Sequence, residues 1–125
     1  MPANCPFCNL DPARILLENA VGIAIYDGFP VANGHALVIP RQHVASPFDL
    51  TADEQAALWR LVAEVRAKLQ TVFCPEGFNI GINDGQAAGQ TVAHAHIHVI
   101  PRYSDDVADP RGGIRWIIPD KARYW

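Results

Sequence analysis

Three histidines stand at alternate positions in the run HAHIHVIPR: His94, His96 and His98, most of the five in a chain of 125 residues. An imidazole with a pKa of about 6.5 is largely neutral at pH 7, so it can attack an electrophile or ligate a metal. The plain reading is a solvated polar face on an edge strand. A second is one ion held by all three. On a strand, His94 and His98 would lie roughly 13 Å apart at about 3.3 Å per residue. An imidazole brings an ion no closer than about 6–7 Å from its own Cα, given a Zn–N bond of about 2 Å. Two of the three can therefore share an ion, and three should not.

A third reading divides the labour. Cys5 and Cys8 form a C-x-x-C, which in a reducing compartment binds metal or does redox chemistry; no thioredoxin-like βαβ pattern surrounds it. A closed zinc site takes four N or S ligands. Two thiolates need two histidines, and one end of the triplet is a candidate. The other histidines are then left for chemistry. NDGQAAGQT runs straight into them, and its small residues let backbone N–H groups approach a phosphate closely. A nucleophilic imidazole beside such a loop points to phosphoryl or nucleotidyl transfer.

The elements that must position these groups follow from local pattern. Residues 21–27 (VGIAIYD) and 35–40 (HALVIP) read as strands, and the connection 28–34 carries Gly, Pro and Asn-Gly. Because that connection is short, the two strands should pair antiparallel. Residues 49–72 read as a helix: Thr51 and Glu54 make a capping box, and Leu58, Leu61, Val62, Val65 and Leu69 share one apolar face. Pro75 and Gly77 stop it. Residues 78–83 and 91–101 read as further strands around a loop at 84–90. In a strand over 91–101 the three histidines share one face, and Ala93, Ala95, Ile97 and Val99 point to the helix. Cys74 reads as a small core residue. The fold class is α+β: an antiparallel meander sheet with one long helix packed on it.

The chain reads as a single domain, 1–125, with an N-terminal arm (1–10) and a loop and tail (102–125). A net charge of −3 gives no electrostatic case for nucleic acid or an anionic membrane as a partner. No apolar run is long enough to span a bilayer, and no signal peptide is visible. A cytoplasmic location is the default, and there three cysteines do not build a disulfide framework. The tail, IRWIIPDKARYW, is too apolar to stay in solvent and should pack on its own domain or on a partner subunit.

GQTVAHAHIHVIPR (89–102) resembles the signature of the histidine triad (HIT) family, in which three histidines alternate with apolar residues after Gly-Gln-[Ser/Thr]. NGHALVIPRQH (33–43) is similar to the family's upstream segment, and the resemblance covers nearly the whole chain. It implies a homodimeric nucleotide hydrolase or transferase acting at the α-phosphate through a covalent nucleotidyl-histidine. Carried over residue by residue, His96 is the nucleophile, His98 binds the non-bridging phosphate oxygens, and His35 supports the imidazole. Asp27 holds the ribose hydroxyls. Asn83, Gly89, Gln90 and Thr91 lie near phosphate or leaving group, and Phe7, Leu10 and Ile25 frame the base. Each also has a structural reading: strand histidine, turn or strand-entry residue, core side chain.

Many prokaryotic relatives carry a structural zinc, and the matching ligands here are Cys5, Cys8, His43 and His94. Any magnesium would arrive with the substrate. The resemblance leaves the substrate open between dinucleoside polyphosphates, which the Fhit branch cleaves, and nucleoside phosphoramidates, which the Hint branch cleaves. Trp59, Trp116 and Trp125 are the aromatics suited to a dimer interface. The competing class of function is a nucleotide-binding regulatory or scaffold protein with vestigial hydrolysis.

Overall fold

A computed structural model describes residues 2–125. Five strands form one antiparallel sheet in the order β1-β2-β3-β5-β4, with β1 at Ile15–Glu18, β2 at Gly22–Tyr26, β3 at Ala36–Pro40, β4 at Gly77–Ile82 and β5 at Ile97–Arg102. Every neighbouring pair is antiparallel. The single long helix, α1 (Ala52–Phe73), lies across one face.

α1 begins where its caps dictate. The Glu54 N–H donates to Thr51 Oγ1 at 3.2 Å and the Thr51 N–H to Glu54 Oε1 at 2.9 Å, so two orphan amides of the first turn are satisfied reciprocally. Leu58, Leu61, Val62, Val65 and Leu69 are buried against Ala24, Ala36, Val38, Ile97 and Val99. Each fully buried Leu or Val contributes about 1.5–3 kcal/mol over its exposed state. The approach is close enough to exclude a side chain at Gly22, where a Cβ would stand 2.8 Å from Leu58 Cδ1. The helix ends at Cys74, in the left-handed conformation at φ 52°. That geometry turns Cys74 outward, so it is exposed and not a core residue; Pro75 is buried in its place.

Two sequence expectations change. A fifth strand, β1, is present: only four residues long and half-buried, with a register shift between Ile15 and Leu17, it is too short to show a period. Secondly, β5 begins at Ile97 and not at residue 91. Residues 91–96 run beside the end of β3 without joining the ladder, held by the Ala95 N–H on Val44 O at 2.7 Å. The three histidines therefore do not share one strand face, and Ala93 is exposed. Ile97 and Val99 do point to the helix side, fully buried in the core.

The opposite face of the sheet carries a smaller apolar cluster, Ile25, Leu37 and Ile39, with Phe7 and Leu10 packed on it. The C-terminal segment folds into a short 3-10 helix (Gly113–Ile117) and α2 (Pro119–Ala122). Ala122 is fully buried, whereas Ile117 stays 75% exposed. Among the described residues no helix is long and apolar enough to cross a membrane.

Candidate active site and metal centre

The N-terminal arm is a knuckle built on two turns. The Cys5 N–H donates to Pro2 O and the Cys8 N–H to Cys5 O. Asn9 closes it by donating from Nδ2 to Ala3 O at 3.0 Å and Cys5 O at 3.2 Å. These turns aim both sulfurs at His43, just past β3, and at His94. His94 Nδ1 lies 3.4 Å from Cys5 Sγ, 3.5 Å from Cys8 Sγ and 3.1 Å from His43 Nδ1, and Cys8 Sγ lies 3.2 Å from His43 Nδ1. The four donor atoms all fall within 4.8 Å of one another.

With bonds of about 2.0–2.3 Å, the edges of a tetrahedral N₂S₂ zinc site are about 3.3–3.8 Å. The spacing fits. The proton positions fit as well. His94 Nε2 is 2.8 Å from Pro40 O, and a carbonyl can only accept, so Nε2 carries the hydrogen and Nδ1 keeps its lone pair for an ion. His94 is fully buried, and that burial holds its pKa below the ordinary value, in the neutral form a ligand needs.

The second cluster is wired differently. His96 Nδ1 donates to the carbonyl of His94 at 2.9 Å, so the lone pair of the neutral ring is on Nε2. The Val31 N–H donates to His35 Nδ1 at 3.1 Å, so the hydrogen of neutral His35 is on Nε2. That hydrogen reaches His98 Nδ1 at 2.9 Å, with Asp27 Oδ2 alongside at 3.4 Å. His98 Nδ1 is thereby the acceptor, and its own hydrogen is on Nε2. The rings of His96 and His98 stand 5.2 Å apart, and Phe7 packs its edge against His96 at 5.2 Å. The result is a bare nitrogen beside an N–H donor. Burial holds the pKa values of His35 and His98 down, with the Asp27 carboxylate opposing.

Asp27, His35 and His98 also lie close enough to surround an ion, but the Val31 amide denies it to them. While that N–H holds His35 Nδ1, Nε2 has no lone pair to give.

The remaining sequence-named residues divide. Asp27 sits by the histidines, with Oδ1 accepting the Phe29 N–H at 2.8 Å. Phe7 and Leu10 lie on the same side of the sheet, while Ile25 beneath them is 0% exposed and offers no surface to a base in this form. Gln90 braces the loop: its Oε1 accepts from Gly85 N and its Nε2 donates to Ala45 O and Val92 O. Gly89, at φ 94°, closes a 3-10 turn with its N–H on Gln86 O. Asn83, Gly89 and Thr91 are exposed and make no hydrogen bond to the histidines among the described residues. Sequence reading missed the backbone groups that set the tautomers, Pro40 O, His94 O and Val31 N–H, because no residue type marks them. It also missed Asn9, whose only signal is an amide side chain next to the second cysteine.

Residues 10–105 match the family model of the HIT domain. The chain belongs to the HIT family. This HIT protein is 38% identical over 97 residues to the bifunctional bis(5'-adenosyl)-triphosphatase/adenylylsulfatase FHIT of Arabidopsis thaliana, covering 78% of this chain and 54% of that one. It is 35% identical over 107 residues to the adenosine 5'-monophosphoramidase hnt1 of Schizosaccharomyces pombe, covering 82% and 77%. Among solved structures it resembles a HIT family protein of Bacillus subtilis with a TM-score of 0.76 and 33% identity, covering 82% of this chain and 76% of that one. It likewise resembles a zinc-bound histidine triad family protein of Mycobacterium smegmatis, with a TM-score of 0.71 and 34% identity over 79% and 72% of the two chains.

Proposed function

We propose that this HIT protein is a hydrolase or transferase that cleaves purine nucleotides at the α-phosphate through a covalent nucleotidyl-His96. The observation that carries the reading is the tautomer of His96. Its Nδ1–H is tied to the His94 carbonyl, so the lone pair is on Nε2. In the first step Nε2 forms a bond to the α-phosphorus, and the bond to the leaving oxygen or nitrogen breaks with its electron pair. His98, which carries its hydrogen on Nε2, donates to a non-bridging oxygen. Donors aligned in this way are each worth about 3 kcal/mol in the transition state. His35 keeps His98 in that donor form. Asp27 takes the ribose hydroxyls. In the second step water or another acceptor attacks the phosphorus and frees Nε2. The named relatives, a dinucleoside triphosphatase and a phosphoramidase, support the bond classes.

Cys5, Cys8, His43 and His94 would hold a zinc ion with no open position, whose contribution is to pin the arm to the sheet. A homodimer is the proposed assembly, supported by β4 as an edge strand of the sheet and by the exposed Ile114, whose Cδ1 lies by Gly81 of β4. The catalytic test is a panel of adenylated and guanylated substrates assayed with the wild type and His96→Asn. Product from the wild type and none from the variant, with nucleotide still bound, is the expected outcome. Near-normal turnover by His96→Asn would refute the nucleophile. Tight binding without product in the wild type would favour a regulatory nucleotide binder.

A further inference from the structure

Residues 28–34, the connection between β2 and β3, have little packing to hold them. Val31 is 74% exposed. A cavity of about 460 Å³ borders Val31 and Ala32 on the side of Ile100 and Trp116, and another of about 420 Å³ borders them on the side of Tyr26 and Phe73. Yet the tautomers of the reactive cluster start here. The Val31 N–H makes His35 Nδ1 an acceptor, and His35 in turn fixes His98. Loops with few buried contacts open at little cost, so this one needs another restraint to stay in register with His35.

One hydroxyl supplies it. Tyr103 Oη donates to Asn33 O at 2.7 Å, across 70 residues of sequence. Among the described residues this is the only hydrogen bond that reaches 28–34 from outside 27–35. Asn33 O belongs to the peptide that leads into Gly34, and Gly34 is itself tight against α1: its φ is 86°, and a Cβ there would stand 2.7 Å from the Phe73 ring. His35 follows directly, with its N–H on Ala32 O at 3.1 Å. The pinned peptide thus lies inside the short ring that the Val31 N–H closes on His35 Nδ1.

Tyr103 is a fixed post. Its N–H donates to Asp106 Oδ2 at 3.1 Å, and its carbonyl accepts the Asp106 N–H at 3.1 Å. Before it, Arg102 donates to Asp106 from Nε at 2.8 Å and from Nη2 at 2.9 Å. After it, Ser104 donates to the Glu76 carboxylate from its N–H at 3.0 Å and from its hydroxyl. The hydrogen bonds from Arg102 hold the Asp106 carboxyl down to about 2, so the post keeps its shape wherever the histidines are neutral.

We propose that Tyr103 is a positioning residue for the reaction: its hydroxyl sets the loop so that the Val31 N–H meets His35 Nδ1, and through that relay it keeps His98 a donor toward phosphate. The proposal rests on the α-phosphate reading above and deepens it. Tyr103→Phe keeps the ring and removes the hydroxyl. Loss of one neutral hydrogen bond shifts an equilibrium by about three- to tenfold, so kcat on an adenylated substrate should fall by about that factor with KM changed by less than about twofold. Nitrogen NMR of the folded variant, which tells a protonated ring nitrogen from a bare one, should show His98 Nδ1 gaining hydrogen. A double-mutant cycle with His35→Ala completes the test. That variant already ends the relay, so adding Tyr103→Phe to it should change kcat by less than about twofold. A tyrosine that only stabilises the fold would lower the thermal midpoint, leave the His98 tautomer as in the wild type and cost the same factor in both backgrounds. An unshifted tautomer, an equal factor in both backgrounds or an unchanged kcat in Tyr103→Phe each overturns the proposal. If the wild type turns over no nucleotide, the α-phosphate reading falls and the NMR comparison decides alone: a shifted His98 tautomer upholds the relay from Tyr103, and an unshifted one removes it.

Discussion

The two histidine clusters use the same side chain for opposite ends. Facing the arm, His94 gives Nε2–H to Pro40 O and turns Nδ1 to the cysteines. Two residues on, His96 gives Nδ1–H to a carbonyl and keeps Nε2 bare. The difference is made by the backbone: whichever ring nitrogen meets a carbonyl becomes the donor, and the other is left to bind or attack. That His94 O itself accepts from His96 joins the clusters. The peptide that carries the proposed metal ligand also orients the proposed nucleophile.

His96→Asn is the sharpest way to separate them. The nitrogen lone pair of an amide is delocalised into its carbonyl and the oxygen is a poor nucleophile, so turnover should fall by at least about 10³-fold. Zinc content, measured by elemental analysis, should match the wild type. A variant that lost its zinc along with activity would show that the two clusters are one unit.

Cys8→Ala makes the converse cut. It removes one of the four proposed ligands, and loss of a structural metal is among the few single-site changes worth more than about 3 kcal/mol. The expected outcome is a large drop in unfolding free energy and in zinc stoichiometry, with hydrogen exchange rising first in residues 2–10 because the knuckle is no longer tied to His43 and His94. The folded fraction should retain most of its chemical rate. If the rate per folded molecule fell as far as in His96→Asn, the metal would have a part in the reaction that the geometry does not give it.

The clusters also differ in how far the sequence revealed them. C-x-x-C and the alternating histidines were legible because residue type and spacing alone limit what they can ligate. α1 was legible to its capping box, and its apolar face matched position for position. The placement of the histidines was not. Alternation over 91–101 promised one strand face, but the chain leaves the ladder before Ile97, and that departure lets His94 turn to the cysteines while His96 and His98 stay together. Cys74 failed for a similar reason, since its left-handed backbone decides its exposure and its side-chain type does not.

His35 tests the wiring of the reactive cluster with a smaller effect. His35→Ala takes the donor from His98 Nδ1, so His98 can shift its hydrogen to that nitrogen and cease to donate from Nε2. A fall in kcat of about 10–100-fold is expected, in line with the loss of one aligned donor's orientation, with zinc content unchanged. Nitrogen NMR of His98 should show the tautomer shift. An unaltered His98 tautomer in that variant would sink the relay from Val31 through His35.

The smallest effect expected is that of pH. Burial depresses the pKa values of His35 and His98 below 6.5, so the unfolded chain binds more protons than the folded one between the depressed values and 6.5. Stability from this source is complete above about 6.5 and is lost as the pH falls through the lower, folded values. His35 is buried and His98 half-buried, but the Asp27 carboxylate opposes the shift in both, which keeps the contribution modest. A thermal midpoint that declines by a few degrees between pH 7.5 and pH 5.5, and by less in His35→Ala, is the expected record. Zinc release also destabilises in acid, and the two sources separate because zinc loss is seen directly in the dialysate whereas protonation of His35 and His98 is reversible with the metal still bound. If the zinc-loaded wild type and His35→Ala decline in parallel, the buried pair contributes nothing and the metal ligands account for the whole slope.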